Sequence, residues 1–242
     1  MLVNNIMSLV ENVLIILTCT VNVNHHKSYI YQQNTNDRLE CYLKSIKQWL
    51  ELTNFNICVI ENSGYKFLEL DEYTKKYNDR FEILTFNELN LTNGLEHLIY
   101  NCSKGASEMY SIIYAYSNTK FKNKINFVIK ITGRYFIPNF QNVLIRLNVI
   151  SNTKNVNIHY NNDMIIGLHQ SNHMRCEIIG IHRLFFNIMF HLNLSDDNNI
   201  FYPHIEYIYH NRFKLLNNIV TLPVFKIEPT QMGGIETIVD EL

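Results

Sequence analysis

Lys130, Gly133 and Arg134 stand in one short stretch, Phe127-Val-Ile-Lys-Ile-Thr-Gly-Arg-Tyr135, where an apolar run gives way to a turn. In an extended chain Phe127, Ile129 and Ile131 share one face and leave Lys130 beside Val128 and Thr132 on the other. A lysine inside an apolar strand is costly unless its ammonium is paired or reaches a cleft. Arg134, just past the strand, carries a fork of donors suited to a diphosphate or a carboxylate. A second cluster, Ser103-Lys-Gly-Ala-Ser-Glu108, opens a helix. Free N–H groups and a positive dipole end make such a start a natural seat for phosphate. There Gly105 would admit a ligand to the backbone and Lys104 would add charge. The same residues also fit a solvated first turn, with a Lys104–Glu108 pair worth ~0.3–0.5 kcal/mol.

Other polar clusters are read two ways. Glu61-Asn62-Ser63-Gly64 can bond a base or ribose edge, and it also has the composition of a plain turn. Glu206 and His210 lie four residues apart on one helical face, as an acid–base couple or as an exposed structural pair. His169 and His173 share that spacing in a loop, where a chain with 10 histidines produces it by chance. No GxGxxG, GxxxxGK[ST] or GxSxG occurs, which speaks against a dinucleotide oxidoreductase, a P-loop NTPase and an α/β-hydrolase. There is also no Gly-rich loop after the first strand to suggest methyl transfer. Nor is there a DxD triplet: Asp196-Asp197 sits in a polar loop.

Strands and helices alternate along the first half. Val13–Val21 reads as a buried strand, followed by a long polar loop from Asn22 to Asn36. Leu39, Tyr42, Leu43, Ile46, Trp49 and Leu50 form one helical stripe, with Asn36 as its expected N-cap. Strands are expected at Asn56–Glu61, Phe81–Phe86 and Phe127–Ile131. A short helix falls near Leu68–Tyr77, and a longer one starts at Ser103 with Met109, Ile112, Ile113 and Tyr116 on its apolar face. That alternation predicts right-handed crossovers and a mainly parallel sheet, with ligands beyond the carboxyl ends of its strands. After Pro138 the rhythm changes. A helix is expected at Val143–Val149 and short strands, more antiparallel than parallel, at Val156–Tyr160, Met164–Leu168 and Glu177–Ile181. Helices follow at Arg183–Leu192 and from Pro203, and Pro223–Leu242 reads as a packing arm. With no linker or repeat, residues 1–242 are expected to be a single domain, divided into a half spanning 13–140 and a lobe spanning 141–242.

The balance of 47% hydrophobic and 18% charged residues is that of a globular chain. A net charge of −1 leaves no basic field to recruit nucleic acid. Five cysteines without CxxC spacing argue for reduced thiols and a cytoplasmic location. The longest apolar run, Val13 to Val21, is too short to span a bilayer.

Arg38…Tyr42…Ser45…Trp49, then Val59-Ile-Glu-Asn-Ser-Gly64, then Lys104-Gly-x-x-Glu108, then Lys130-Ile-Thr-Gly-Arg-Tyr135 resembles glycosyltransferase-like proteins of bacterial surface-polysaccharide loci and large DNA viruses. The resemblance covers roughly residues 13–140. It implies an α/β, GT-A-like nucleotide-binding fold with a mainly parallel central sheet and a smaller C-terminal α+β lobe on the acceptor side. It further implies sugar transfer from a nucleotide-diphosphate donor to a glycan or other hydroxyl acceptor. By resemblance Thr18, Arg38, Glu61 and Asn62 lie near the nucleotide, and Lys104, Gly105, Glu108, Lys130, Gly133 and Arg134 near the diphosphate and sugar. The missing DxD departs from the family's usual divalent-metal ligand. The resemblance therefore implies that Lys130 and Arg134 replace the metal's charge on the departing diphosphate. Glu206 or Asp163 is then the base that activates the acceptor. The competing expectation is a non-catalytic interaction protein that keeps this fold.

Overall fold

A computed structural model describes residues 10–149, 164–170, 175–195, 204–232 and 236–242. Strand β1 (Val13–Cys19) is buried along its whole length, as a strand covered on both faces must be. Helix α1 (Thr35–Leu52) follows and leads to β2 (Asn56–Glu61). Its cap is Asn34, whose side chain accepts the N–H groups of Asn36 and Asp37, so the helix starts ahead of the expected Asn36. Next come α2 (Asp71–Lys76), β3 (Phe81–Thr85), the single turn α3 (His97–Tyr100), α4 (Lys104–Asn118) and β4 (Phe127–Thr132). The later chain adds α5 (Phe140–Arg146), β5 (Gly167–Gln170), β6 (Ile178–His182), α6 (Phe186–Met189), α7 (Ile205–Phe213) and β7 (Ile219–Leu222). A separate hairpin, β8 (Lys226–Gln231) and β9 (Ile238–Glu241), ends it.

The seven-stranded sheet runs in the order β3-β2-β1-β4-β6-β5-β7. β1 pairs in parallel with both β2 and β4, and β2 with β3, so the expected α/β fold with a mainly parallel sheet is present. β6 runs antiparallel to β4 and β5, as expected of the late strands, whereas β7 joins β5 in parallel and was not anticipated. The expected strand at Val156–Tyr160 lies outside the described residues. The expected helix at Arg183–Leu192 is shorter, a 3-10 turn followed by α6. At the last residue of α6 and beyond it, the carbonyls of Met189, His191 and Asn193 accept from the guanidinium of Arg212 instead of continuing a helix.

Each face of the sheet carries its own core. α1 places Tyr42, Ile46 and Trp49 over Ile15, Leu17, Val59 and Ile129. On the other face α4 and α7 place Met109, Ile112, Ile208 and Tyr209 over Leu14, Ile16 and Val128. Trp49 also donates its indole N–H to the Tyr135 carbonyl at 2.9 Å, pinning the turn after β4 to α1. The chain moves outward from β1 through β2 to β3 and then returns to place β4 on the other side of β1. In open α/β sheets such a reversal is where the ligand crevice falls, here beyond the carboxyl ends of β1 and β4. Among the described residues no helix is long and apolar enough to cross a membrane.

Candidate functional site

Thr18, Glu108 and Lys130 meet at this crevice. Glu108 Oε1 accepts from the Thr18 hydroxyl at 2.9 Å and lies 2.8 Å from Lys130 Nζ. Lys130 has no exposed surface, and its ammonium also donates to the Cys176 carbonyl at 2.7 Å and the Thr132 hydroxyl at 3.2 Å. An ammonium has three N–H groups, and here each has an acceptor. Burial works against the charged form, but Glu108 and the neighbouring acids outweigh it and hold Lys130 above the ordinary lysine range. The ammonium thus orients Glu108 instead of reaching toward open space.

Lys104, one helical turn before Glu108, is not paired with it as a first-turn salt bridge. Its Nζ donates to the Tyr29 carbonyl at 3.3 Å, joining α4 to the loop after β1. Although the residue is exposed overall, partial loss of water pulls its ammonium below the ordinary range, while Glu108 and Glu206 oppose that fall. Glu206 is therefore close enough to act on the same charge. It also accepts a weak bond from the Cys176 thiol at 3.5 Å, and burial holds that thiol well above its usual range, in the protonated form. Next to it Glu177 has a buried carboxylate oxygen without a partner among the described residues, and burial raises its proton affinity. Asp163, the other expected base, lies outside the described residues, as does His173.

The two glycines serve packing. A Cβ on Gly105 would meet Ile205 Cβ at 2.5 Å, so the space expected for a ligand at the start of α4 is filled by the start of α7. A Cβ on Gly133 would meet Cys19 Sγ at 2.5 Å and the Thr18 carbonyl oxygen at 2.8 Å. Gly133 N–H donates to that carbonyl at 2.9 Å, which carries the β1–β4 pairing one residue past the strand.

Arg38, Glu61 and Asn62 spend their polar groups on the protein. Arg38 donates to the carbonyls of Thr20 and Gln32 and to the Tyr42 hydroxyl. Glu61 accepts from the N–H groups of Val21, Ser63 and Tyr65 and from the Ser63 hydroxyl. Burial raises its proton affinity, and those bonds offset part of the rise. Asn62 bridges Thr20 and Glu88. Glu88 was missed from sequence, and so was its partner Lys27. They form a buried ion pair at 2.6 Å, and Lys27 also donates to the carbonyls of Leu98 and Asn101. Lys27 is the lone Lys or Arg between Asn22 and Asn36, a signal that this loop is tied down.

Arg134 sits on the α1 side of the crevice. Its Nη1 donates to Gln32 Oε1 and to the Gln231 carbonyl, both at 3.2 Å, and its buried Nε has no partner among the described residues. It borders a cavity of about 310 Å³ between α1 and β8, together with Ser45, whose buried hydroxyl is likewise unpartnered. Lys130 and Arg134 therefore serve opposite sides of the sheet end, one toward α4 and the other toward the terminal hairpin. Among the described residues no group of three His, Cys, Asp or Glu is placed to hold a metal ion. Glu108, the carboxylate of this cluster, is already held by an ammonium, a poor start for a divalent-cation site.

No protein-family model matches the chain, and no curated protein does. Several solved structures show a loose likeness, two of which follow. A protein from Desulfovibrio desulfuricans G20 described as a nucleotide-diphospho-sugar transferase aligns over 88% of this chain and 80% of its own, with 11% identity and a TM-score of 0.43. A cytidylyltransferase from Leptospira borgpetersenii aligns over 95% and 81%, with 12% identity and a TM-score of 0.38.

Proposed function

We propose that the protein is a GT-A-type glycosyltransferase that moves a sugar from a nucleotide-diphosphate donor to a hydroxyl acceptor, with cations in place of a bound metal. The supporting observation is the meeting of Thr18, Glu108 and Lys130, with Lys104 one helical turn before Glu108 and Glu206 against Cys176, at the reversal point of a mainly parallel sheet, where open α/β sheets bind ligands. In this reading Lys104 takes the charge of the leaving diphosphate through its side chain. Lys130 holds Glu108 in place toward the donor. Glu206 takes the proton of the acceptor hydroxyl. Arg38, Glu61 and Asn62 shape the loop that walls the nucleotide, and Arg134 braces that loop through Gln32. Five unpaired thiols suit a cytoplasmic setting.

A second reading is a non-catalytic interaction protein on the same fold. It is favoured by the internal consumption of the polar groups of Arg38, Glu61, Asn62 and Lys130. Calorimetry with UDP and GDP, with and without manganese, separates the readings when joined to a donor-hydrolysis assay. The transferase reading expects binding in both buffers, weakened at least tenfold by Lys104→Ala, and slow donor hydrolysis. Binding without turnover supports the second reading, and no heat with any nucleoside diphosphate overturns the first.

A further inference from the structure

Tyr29 stands in the loop after β1 with a φ of 57°, in the left-handed region that a bulky side chain rarely adopts. Its ring is 67% exposed, so burial does not offset that backbone. What holds the residue is the bond from Lys104 Nζ to its carbonyl. Strain of this kind collects where a chain presents a group to a ligand. Two more exposed rings stand beside it. The ring of His204, just before α7, lies 6.5 Å from that of Tyr29, and the ring of Tyr207, 42% exposed, lies 6.4 Å from that of His204. The planes turn by 38° from the first ring to the second and by 66° from the second to the third. At those distances and angles no ring is stacked on its neighbour.

We propose that Tyr29, His204 and Tyr207 form a shelf that binds a neutral glycan chain of two or more sugar units. A sugar ring has an apolar C–H face and a rim of hydroxyls, and a Tyr or His ring has an apolar face and a polar tip. The turn from plane to plane argues against a single nucleobase, which is flat and can lie on only one of them. Linked sugar units can each follow a plane of their own. The charges beside the shelf argue for a neutral ligand. Lys104 holds Tyr29, and Glu206, next to Tyr207 in sequence, acts on the charge of that same lysine. The two signs oppose each other, yet they supply a donor and an acceptor for hydroxyls. The apolar patch of a protein partner would have to bury both charges, which is costly. That the glycan is the acceptor in a transfer reaction, with Glu206 beside its hydroxyl, rests on the transferase reading. Its binding does not.

Calorimetry on the full chain, without nucleotide, compares chitotetraose, cellotetraose and maltotetraose with N-acetylglucosamine and glucose. At least one tetrasaccharide is expected to bind at least tenfold more tightly than its own monosaccharide. Tyr29→Gly and Tyr207→Ala should each weaken it about fivefold or more. Tyr29→Gly should do so without lowering the melting temperature, since glycine takes a positive φ at no steric cost. Binding of none of these sugars, equal affinity for chain and single unit, or wild-type affinity in both variants overturns the shelf. If the two variants weaken UDP and spare the tetrasaccharide, the rings stack on a base and the glycan assignment is overturned. If Tyr207→Ala does not fold, the Tyr29→Gly comparison decides alone. Because the sugars are titrated without nucleotide, their failure leaves the UDP and GDP titrations standing, and failure of those leaves this binding standing.

Discussion

Glu108 and Lys130 are unequal partners, for the lysine side chain has no exposure and the carboxylate keeps 20%. Glu108→Gln strands an ammonium inside the sheet and should cost about 3–5 kcal/mol, the usual penalty for breaking a buried pair from one side. Lys130→Met leaves a carboxylate that still has Thr18 and some water, so it should cost less, and the double variant should be more stable than Glu108→Gln alone. Urea unfolding of the three proteins checks that order. Glu177 carries the opposite signature. Its folded form holds a proton more tightly than the unfolded chain does, so its contribution is complete below the ordinary carboxylate value of 4.5 and is lost as pH rises through its raised folded value. Glu177→Gln should therefore raise the melting temperature at pH 8, with the gain shrinking toward pH 4.5. Residues that break a local pattern, such as Lys130 in its apolar strand and Lys104 beside Gly105, could be found from sequence. Cys176 could not, because it looks like ordinary apolar filling. The part played by Cys176 appears only once its carbonyl meets Lys130, 46 positions away.

At the level of elements, Gly105 is where α4 and α7 touch, with Ile205 occupying the space a Cβ would need. Gly105→Ala should cost about 1–3 kcal/mol by overpacking, and adding Ile205→Ala should cost less than the sum of the two single changes. Chemical denaturation of the double-mutant cycle measures the difference. The junction from β6 to α6 has a separate weakness to acid. His182 accepts the Leu184 N–H and caps the 3-10 turn, and burial, helped by Arg183, lowers its pKa to about 4. A depressed histidine contributes stability that is complete above pH 6.5 and lost as pH falls toward 4, amounting to about 3 kcal/mol for so large a shift. Thermal melts at pH 7 and pH 5 should show a drop in the wild type and a smaller one in His182→Asn, which keeps a capping acceptor. The first four strands were legible because each is a mostly apolar run bounded by turn residues. β7 and the β8–β9 hairpin were not, since Ile219–Leu222 is short and Lys226–Gln231 carries two charges and a proline. What stabilises them is distant pairing, which leaves little trace in local sequence.

Across the whole molecule β4 is the joint. It lies parallel to β1 on one side and antiparallel to β6 on the other, so the sheet crosses the division at residue 140 that the sequence suggests. The last residues strengthen the link. Phe225, Ile227 and Leu242 are buried in the same core as Ile15, Trp49 and Ile57, and Phe225 packs edge-on to Phe140. A first half losing these contacts would expose its own α1 face, and a second half losing β4 would leave β6 with an open edge. The two halves should therefore unfold in one cooperative step. Trp49, the chain's single tryptophan, reports on the first half by fluorescence, and hydrogen exchange of residues 178–182 at rising urea reports on the second. The expected result is one shared midpoint. Earlier loss of protection in β6 while Trp49 fluorescence stays native would show that β4 does not couple the halves. In that case the strand-end cluster, which needs Cys176 and Glu206 from the second half, would exist only while both halves are folded and docked.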